Sequence, residues 1–129
     1  LIQRRRYVRV RANVEVTVDL RDTTVAGSTV DVSEGGFRIR VPRVAIPELE
    51  RTVIRTVIGG ARVALPGYVL RTTDVDPDQT EAVIAFQAGS DDAEAVRRFV
   101  LNMRLRARAN DALDNANGQP QGRLVRDDG

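Results

Sequence analysis

Residues 28–40 read STVDVSEGGFRIR, and this stretch is the clearest structural signal in the chain. The run STVDV reads as one strand, FRIR with the following Val41 reads as a second, and SEGG between them reads as a tight glycine turn. Glycine gives the backbone the freedom that such a turn requires. Two strands joined in this way form a β-hairpin, so the centre of the chain is predicted to be antiparallel sheet.

Strand-like runs continue on both sides of this hairpin. Residues 8–18 alternate apolar and polar side chains, which predicts one half-buried strand. The downstream candidates are TVIRTVI from Thr52 to Gly59-Gly60, residues 61–75 with a bulge or bend expected at Pro66-Gly67, and EAVIAFQA over residues 81–88. About six or seven short strands with no helix between them predict an antiparallel barrel or sandwich.

The spacing of the apolar residues changes after residue 90. The positions that follow the 3.6-residue period of a helix are Val96, Phe99, Val100, Met103 and Ala107. The predicted helix runs over residues 92–108, with Asp91 as its cap and Glu94 as the capping-box partner. Its apolar stripe should cover the barrel or a partner. Residues 110–129 are rich in Asn, Asp, Gly, Gln, Pro and Arg, which predicts a disordered tail.

Composition excludes several classes of function. The 129 residues include neither cysteine nor histidine, which removes disulfides, thiolate nucleophiles, imidazole bases and nearly every zinc or transition-metal site. The sequence contains no glycine-rich P-loop and no apolar run long enough to span a membrane. We therefore expect a protein that is not an enzyme, holds no metal and does not insert into membranes.

Four arginines are crowded into QRRRYVR, residues 3–9. In an extended segment at the entrance of a strand, Arg5 and Arg9 with their neighbours can converge on one multivalent anion from a mobile arm. Guanidinium groups bond phosphate oxygens, grip the O6/N7 edge of guanine and stack on its face. A guanine nucleotide would use all three modes, and a merely solvated edge is the alternative interpretation.

The hairpin carries a second polar pattern. Asp31, Ser33 and Gly36 form D-x-S-x-x-G, and residues two apart on a strand point to the same face. An aspartate accepts from the N1 and N2 donors of guanine, and serine offers a small hydroxyl. Gly35 and Gly36 are expected to hold positive φ and to let the backbone approach a ligand closely. Ordinary turn chemistry is the alternative interpretation of the same residues.

Together these two patterns resemble the PilZ domain, a bacterial receptor for cyclic di-GMP, over residues 2–108. The matching motifs are R-x-x-x-R at Arg5 and Arg9, and D-x-S-x-x-G from Asp31 to Gly36. The resemblance implies a six-stranded antiparallel β-barrel with one C-terminal α-helix across an opening, and a ligand held on the outer surface. It implies that Arg5 and Arg9 contact guanine and phosphate. It further implies that Asp31 and Ser33 read a guanine base and nearby phosphate, with Gly36 permitting the turn.

The resemblance also bears on stoichiometry. In PilZ-like domains an arginine directly before the first motif, here Arg4, is associated with two intercalated cyclic di-GMP molecules rather than one. The physical reason is that an additional cation can stack on an additional guanine. No cofactor is expected beyond cyclic di-GMP, bound singly or as this intercalated dimer.

The expected layout is a ligand-binding arm and linker at residues 1–10, a barrel with its helix at 11–109, and the tail at 110–129. The start LIQRRR resembles the junction in flagellar-brake proteins, where a second barrel precedes the PilZ domain. We therefore expect an upstream domain or protein partner, a cytoplasmic location, and an arm that ligand binding orders to regulate bacterial motility or exopolysaccharide output.

Two other classes of function stay open at this point. One is a protein-interaction barrel that binds no nucleotide, and the other is a single-stranded nucleic-acid binder. DNA is not among the expected partners, because acidic residues scattered along the chain interrupt any extended basic stripe. Pairing with a second copy of the chain is also left open by the helix stripe.

Overall fold

The computed structural model describes residues 8–87 and 89–117, with side chains as far as Leu113. Within these ranges seven strands precede one helix. The elements are β1 Arg9–Arg11, β2 Glu15–Asp19, β3 Thr24–Ser33, β4 Gly36–Pro42, β5 Arg51–Ile58, β6 Ala61–Asp76, β7 Gln79–Phe86 and α1 Asp91–Asn117.

Six of these strands close into an antiparallel barrel. The order around it is β3, β2, β5, β6, β7 and β4, and β4 pairs back onto β3. The closing pair is the hairpin predicted from residues 28–40, with Ser33 opposite Gly36 and Val32 opposite Phe37. The predicted six-stranded barrel with a C-terminal helix is confirmed. β1 is an extra strand, paired with the last three residues of β3.

The single strand predicted over residues 8–18 is wrong in one respect, because it is divided into β1 and β2. Thr29 of β3 occupies the break. Its hydroxyl accepts a hydrogen bond from the Val14 amide at 2.8 Å and donates one to the Ala12 carbonyl. Between β1 and β2, the Thr29 hydroxyl thus replaces backbone hydrogen bonds to β3. The chain can therefore leave the sheet pairing of β1 and resume it as β2.

β3 contains one extra residue relative to β4. Thr29 lies opposite Ile39 and Asp31 lies opposite Arg38, so Val30 has no partner of its own. A bulge of this kind shifts the alternation of side chains by one position. Thr29 is buried on one side of the bulge and Val32 is fully buried on the other. Asp31 therefore lies on the outer face.

The barrel interior is mainly aliphatic, and its two aromatic residues, Phe37 and Phe86, meet edge to face with ring centroids 5.2 Å apart. The bulge or bend predicted at Pro66-Gly67 is wrong in position. The irregularities of β6 lie between Val69 and Arg71 and between Asp74 and Asp76. A Cβ on Gly67 would overlap the Ala85 carbonyl oxygen, so this glycine allows β7 to pass closely.

α1 packs on the barrel through Ala93, Val96 and Val100, which are all buried. The predicted cap at Asp91 is wrong, because the Ser90 hydroxyl accepts from the Ala93 amide at 3.0 Å. The Asp92 carboxylate instead accepts from the Ala64 amide at 2.9 Å and ties the start of the helix to β6.

The helix is longer than the sequence predicted. It continues to Asn117, so residues 110–117, which were expected to be disordered, are helical. The segment NDALDNAN contains no glycine or proline, and its Ala and Leu residues favour helix, so it contains no residue that would stop the helix. The rest of the predicted tail, residues 118–129, lies outside the described residues. The described helix is not apolar enough along its length to cross a membrane.

The first prediction concerns the junction between β1 and β2. Thr29→Val keeps the shape of the side chain but leaves the Val14 amide and the Ala12 carbonyl unpaired, so the free energy of unfolding should fall by about 1–3 kcal/mol. Urea denaturation measures the change. Thr24→Val, an exposed position on the same strand, is the control and should change stability by less than about 0.5 kcal/mol. Equal losses in the two variants would contradict the role given to Thr29.

Candidate functional site

The outer face of the barrel carries an alternating set of charges where β1, β3, β4 and β7 lie side by side. The hairpin alternation sends Phe37 and Ile39 into the core and leaves Arg38 and Arg40 outside. On β7 the same alternation buries Ala82 and leaves Glu81 outside, directly opposite Arg40. Arg38, Arg40 and Glu81 are thus each positioned by a buried neighbour on their own strand.

These side chains form a continuous chain of ion pairs. Arg9 Nη1 lies 3.6 Å from Asp31 Oδ1, and Arg38 Nε lies 3.3 Å from Asp31 Oδ2. Arg38 Nη1 lies 3.0 Å from Glu81 Oε1, and Arg40 Nε lies 3.4 Å from Glu81 Oε2. Three guanidinium groups and two carboxylates leave one net positive charge, so the face attracts anions while presenting acceptors for hydrogen-bond donors.

Arg38 occupies the middle of this chain and is not fully satisfied. Its Nη1 donates to Glu81, but its Nε, 3.3 Å from Asp31, is buried and forms no hydrogen bond. The contact with Asp31 is therefore an ion pair without hydrogen-bond alignment. The Asp31 carboxylate keeps its hydrogen-bonding capacity for another donor.

Ser33 shapes the hairpin turn beside these charges. Its hydroxyl accepts from the amides of Gly35 and Gly36 at 3.3 and 3.1 Å, and donates to the Gly36 carbonyl at 3.0 Å. The residue is 9% exposed. The Ser33 hydroxyl thus stabilises the turn that follows Asp31. A ligand that binds this hydroxyl would share it with the backbone groups of the turn.

Gly35 and Gly36 have different roles from those the sequence suggested. The expected positive φ is wrong, because the glycines with positive φ among the described residues are Gly59, Gly60 and Gly89. Gly36 is required for space, since a Cβ there would lie 2.5 Å from the Ile84 carbonyl oxygen of β7. The Gly35 carbonyl accepts from the Phe86 amide at 3.1 Å, which fixes the turn against the end of β7.

The structure brings together five of the seven residues predicted for the site. Within this one face lie Arg9, Asp31, Ser33, Gly35 and Gly36. Arg4 and Arg5 lie outside the described residues.

Sequence reasoning missed Arg38, Arg40 and Glu81. The hairpin register was the available signal for Arg38, because a two-residue turn at Glu34-Gly35 places it directly opposite Asp31, before the bulge is reached. Glu81 comes from a distant segment, and only the closure of the barrel brings it next to Arg38.

A concave surface lies elsewhere on the barrel. A groove of about 1130 Å³ runs along β2, β3, β5 and β6. Its charged lining residues are Glu15, Arg55, Arg62 and Asp92. It contains none of the residues of either sequence motif. Within the part of the chain that the structure describes, no group of three or more Asp or Glu side chains is arranged to hold a metal ion.

A family model for the PilZ domain matches residues 3–102 of the chain. Among curated proteins, no sequence matches. Several solved structures share the fold. The inhibitor of motility MotI from Bacillus subtilis superposes with a TM-score of 0.68 at 18% identity, covering 81% of this chain and 53% of MotI.

Two further structures extend the comparison. YcgR from Escherichia coli, solved in complex with c-di-GMP, has a TM-score of 0.68 at 20% identity and covers 86% of this chain and 50% of that one. The PilZ domain of CeSA from a cellulose-synthesizing bacterium has a TM-score of 0.59 at 23% identity, covering 75% of this chain and 98% of the domain. The chain thus spans about half the length of MotI and YcgR.

The second prediction tests the spatial role of Gly36. Gly36→Ala places a Cβ against the backbone of β7, which cannot move aside as a side chain could, so the free energy of unfolding should fall by about 1–3 kcal/mol. Glu34→Ala, in the same turn, is the matched control and should be close to neutral. Chemical denaturation compares the two variants. If Gly36→Ala is as stable as Glu34→Ala, the backbone of β7 does not exclude a Cβ at position 36.

Proposed function

Because the chain belongs to the PilZ domain family, we propose that it is a non-enzymatic receptor for cyclic di-GMP. The observation that best supports this function is the juxtaposition of Arg9 with Asp31 and the Ser33 turn on one outer face of the barrel. These residues belong to the two motifs of the sequence, which are about twenty positions apart and are brought together by the pairing of β1 with β3.

The chemistry of this face suits a guanine nucleotide with phosphates. In the proposed complex, Asp31 accepts hydrogen bonds from the N1 and N2 donors of guanine, and Arg9 turns from Asp31 to a phosphate oxygen. The cost of this exchange is small. Arg9 is 38% exposed and lies 3.6 Å from Asp31, and exposed ion pairs contribute about 0–1 kcal/mol.

We assign the remaining contacts to the segment before β1. Arg5 completes the R-x-x-x-R motif with Arg9, and Arg4 precedes it. Arg9 stands at the first position of β1, so a ligand held by Arg9 is within reach of the residues just upstream. Binding would then order the segment before β1 on the outer face, and that ordering is the proposed signal.

The proposed output is control of motility or of exopolysaccharide production. Support comes from the fold shared with an inhibitor of motility and with the PilZ domain of a cellulose-synthesizing bacterium. The chain covers about half of MotI and of YcgR, so we propose that an additional domain or partner receives the signal. The arm over residues 1–10 would then be the hinge to it.

The third prediction is calorimetric. Cyclic di-GMP should bind the chain with micromolar or tighter affinity, and Arg9→Ala should weaken binding by tenfold or more, because a charge-assisted bond to phosphate is worth about 1.5–3 kcal/mol. Arg62→Ala, an exposed arginine on the β5–β6 hairpin, is the matched control and should bind normally.

Two results would contradict the receptor function. Folded protein that gives no binding heat favours the protein-interaction barrel. Binding to single-stranded oligonucleotides that falls steeply with salt, with no preference for the cyclic dinucleotide, favours the nucleic-acid binder.

The fourth prediction concerns stoichiometry. We expect two nucleotides per chain for the unmodified sequence and one for Arg4→Ala, because Arg4 supplies the additional cation that stacks on an additional guanine. Arg6→Ala, the adjacent arginine outside both motif positions, is the control and should retain two. If the unmodified chain binds one nucleotide per chain, the role assigned to Arg4 is wrong, whereas the proposed receptor function is unaffected.

A further inference from the structure

Glu81 has no part in either sequence motif, yet it lies beside the proposed ligand face. Its side chain is 16% exposed, and it bonds Arg38 at 3.0 Å while its other oxygen lies 3.4 Å from Arg40. It is anchored on β7 between Thr80 and Ala82, both of which are buried. The carboxylate is therefore fixed by the barrel itself, whereas the arginines that it contacts have long flexible side chains.

Arg38 is a potential competitor of the ligand. It lies directly opposite Asp31 across the β3–β4 pair, which is the position from which a guanidinium can cover a carboxylate with two parallel hydrogen bonds. A guanine presents its N1 and N2 donors to the same two oxygens. An Asp31 that is held in a bidentate pair with Arg38 would be blocked for guanine.

The observed geometry avoids this block. Arg38 directs Nη1 to Glu81, and its Nε lies 3.3 Å from Asp31 without a hydrogen bond. A buried guanidinium nitrogen without a hydrogen bond is unfavourable, so some other contact has to offset the cost of this orientation, and the bond from Nη1 to Glu81 is the contact available to Arg38.

We propose that Glu81 is a positioning residue that draws Arg38 away from Asp31 and so leaves the Asp31 carboxylate available to guanine. The proposal rests on the proposed function, because it concerns the same site. Glu81 itself does not contact the ligand; it acts through Arg38. Without the Glu81 charge, Arg38 turns to Asp31, forms the bidentate pair and competes with the nucleotide.

The test is a double-mutant cycle measured by calorimetry with cyclic di-GMP. Glu81→Gln, which keeps the shape and removes the charge, should weaken binding by about tenfold. In an Arg38→Met background the same Glu81→Gln substitution should have no effect, because the competing guanidinium is gone. A structural role that Glu81 exerts through Arg40 would persist in the Arg38→Met background, and urea denaturation of each variant separates a loss of affinity from a loss of stability.

Two further variants keep the result interpretable. Asp19→Asn breaks the Asp19–Arg55 pair on β2 and β5, 2.7 Å long and distant from both motifs, and should leave affinity unchanged. Glu81→Asp keeps the charge but withdraws it by one methylene. It should weaken binding less than Glu81→Gln does. If Glu81→Gln is poorly folded, Glu81→Asp replaces it in the double-mutant cycle.

The outcomes separate the two proposals. If the unmodified chain does not bind cyclic di-GMP, the proposed function itself fails. If it binds, and Glu81→Gln binds equally or more tightly, the positioning role is overturned. The role is also overturned if Glu81→Gln weakens binding to the same extent with and without Arg38.

Discussion

The single extra residue in β3 determines which side of the hairpin faces the core. Val30 has no partner on β4, and the alternation of side chains therefore shifts between Thr29 and Asp31. Without that shift, Asp31 would follow Thr29 into the apolar interior, where an ionised carboxylate would be very costly. With it, Val32 fills the core and Asp31 reaches the outer surface.

The outer face that results is held together by weak interactions on a rigid support. The strands beneath it are closed into a barrel without a free edge on β3 or β4, and residues such as Ile39 and Ile84 are fully buried. The ion pairs above are partly exposed, and pairs of that kind contribute little to stability. They can therefore be exchanged for contacts with an anionic ligand while the support stays in place.

Sequence patterns predicted the barrel because alternation and glycine turns are local properties. Residues 28–40 specify their hairpin through their own side chains, and the R-x-x-x-R and D-x-S-x-x-G motifs could be read directly. Three features were not readable. The break in the first strand depends on the hydroxyl of Thr29, the need for Gly36 depends on the approach of Ile84, and the position of Glu81 depends on closure of the barrel. Each is a contact between distant segments.

In the proposed complex, the nucleotide binds on the outer face of β1, β3, β4 and β7, and Asp31 reads the guanine. A crystal structure of the chain with cyclic di-GMP tests this arrangement most directly. We expect a guanine edge within hydrogen-bond distance of the Asp31 carboxylate and a phosphate on Arg9. A nucleotide bound in the groove along β2 and β5, with Asp31 still between Arg9 and Arg38, would contradict the account.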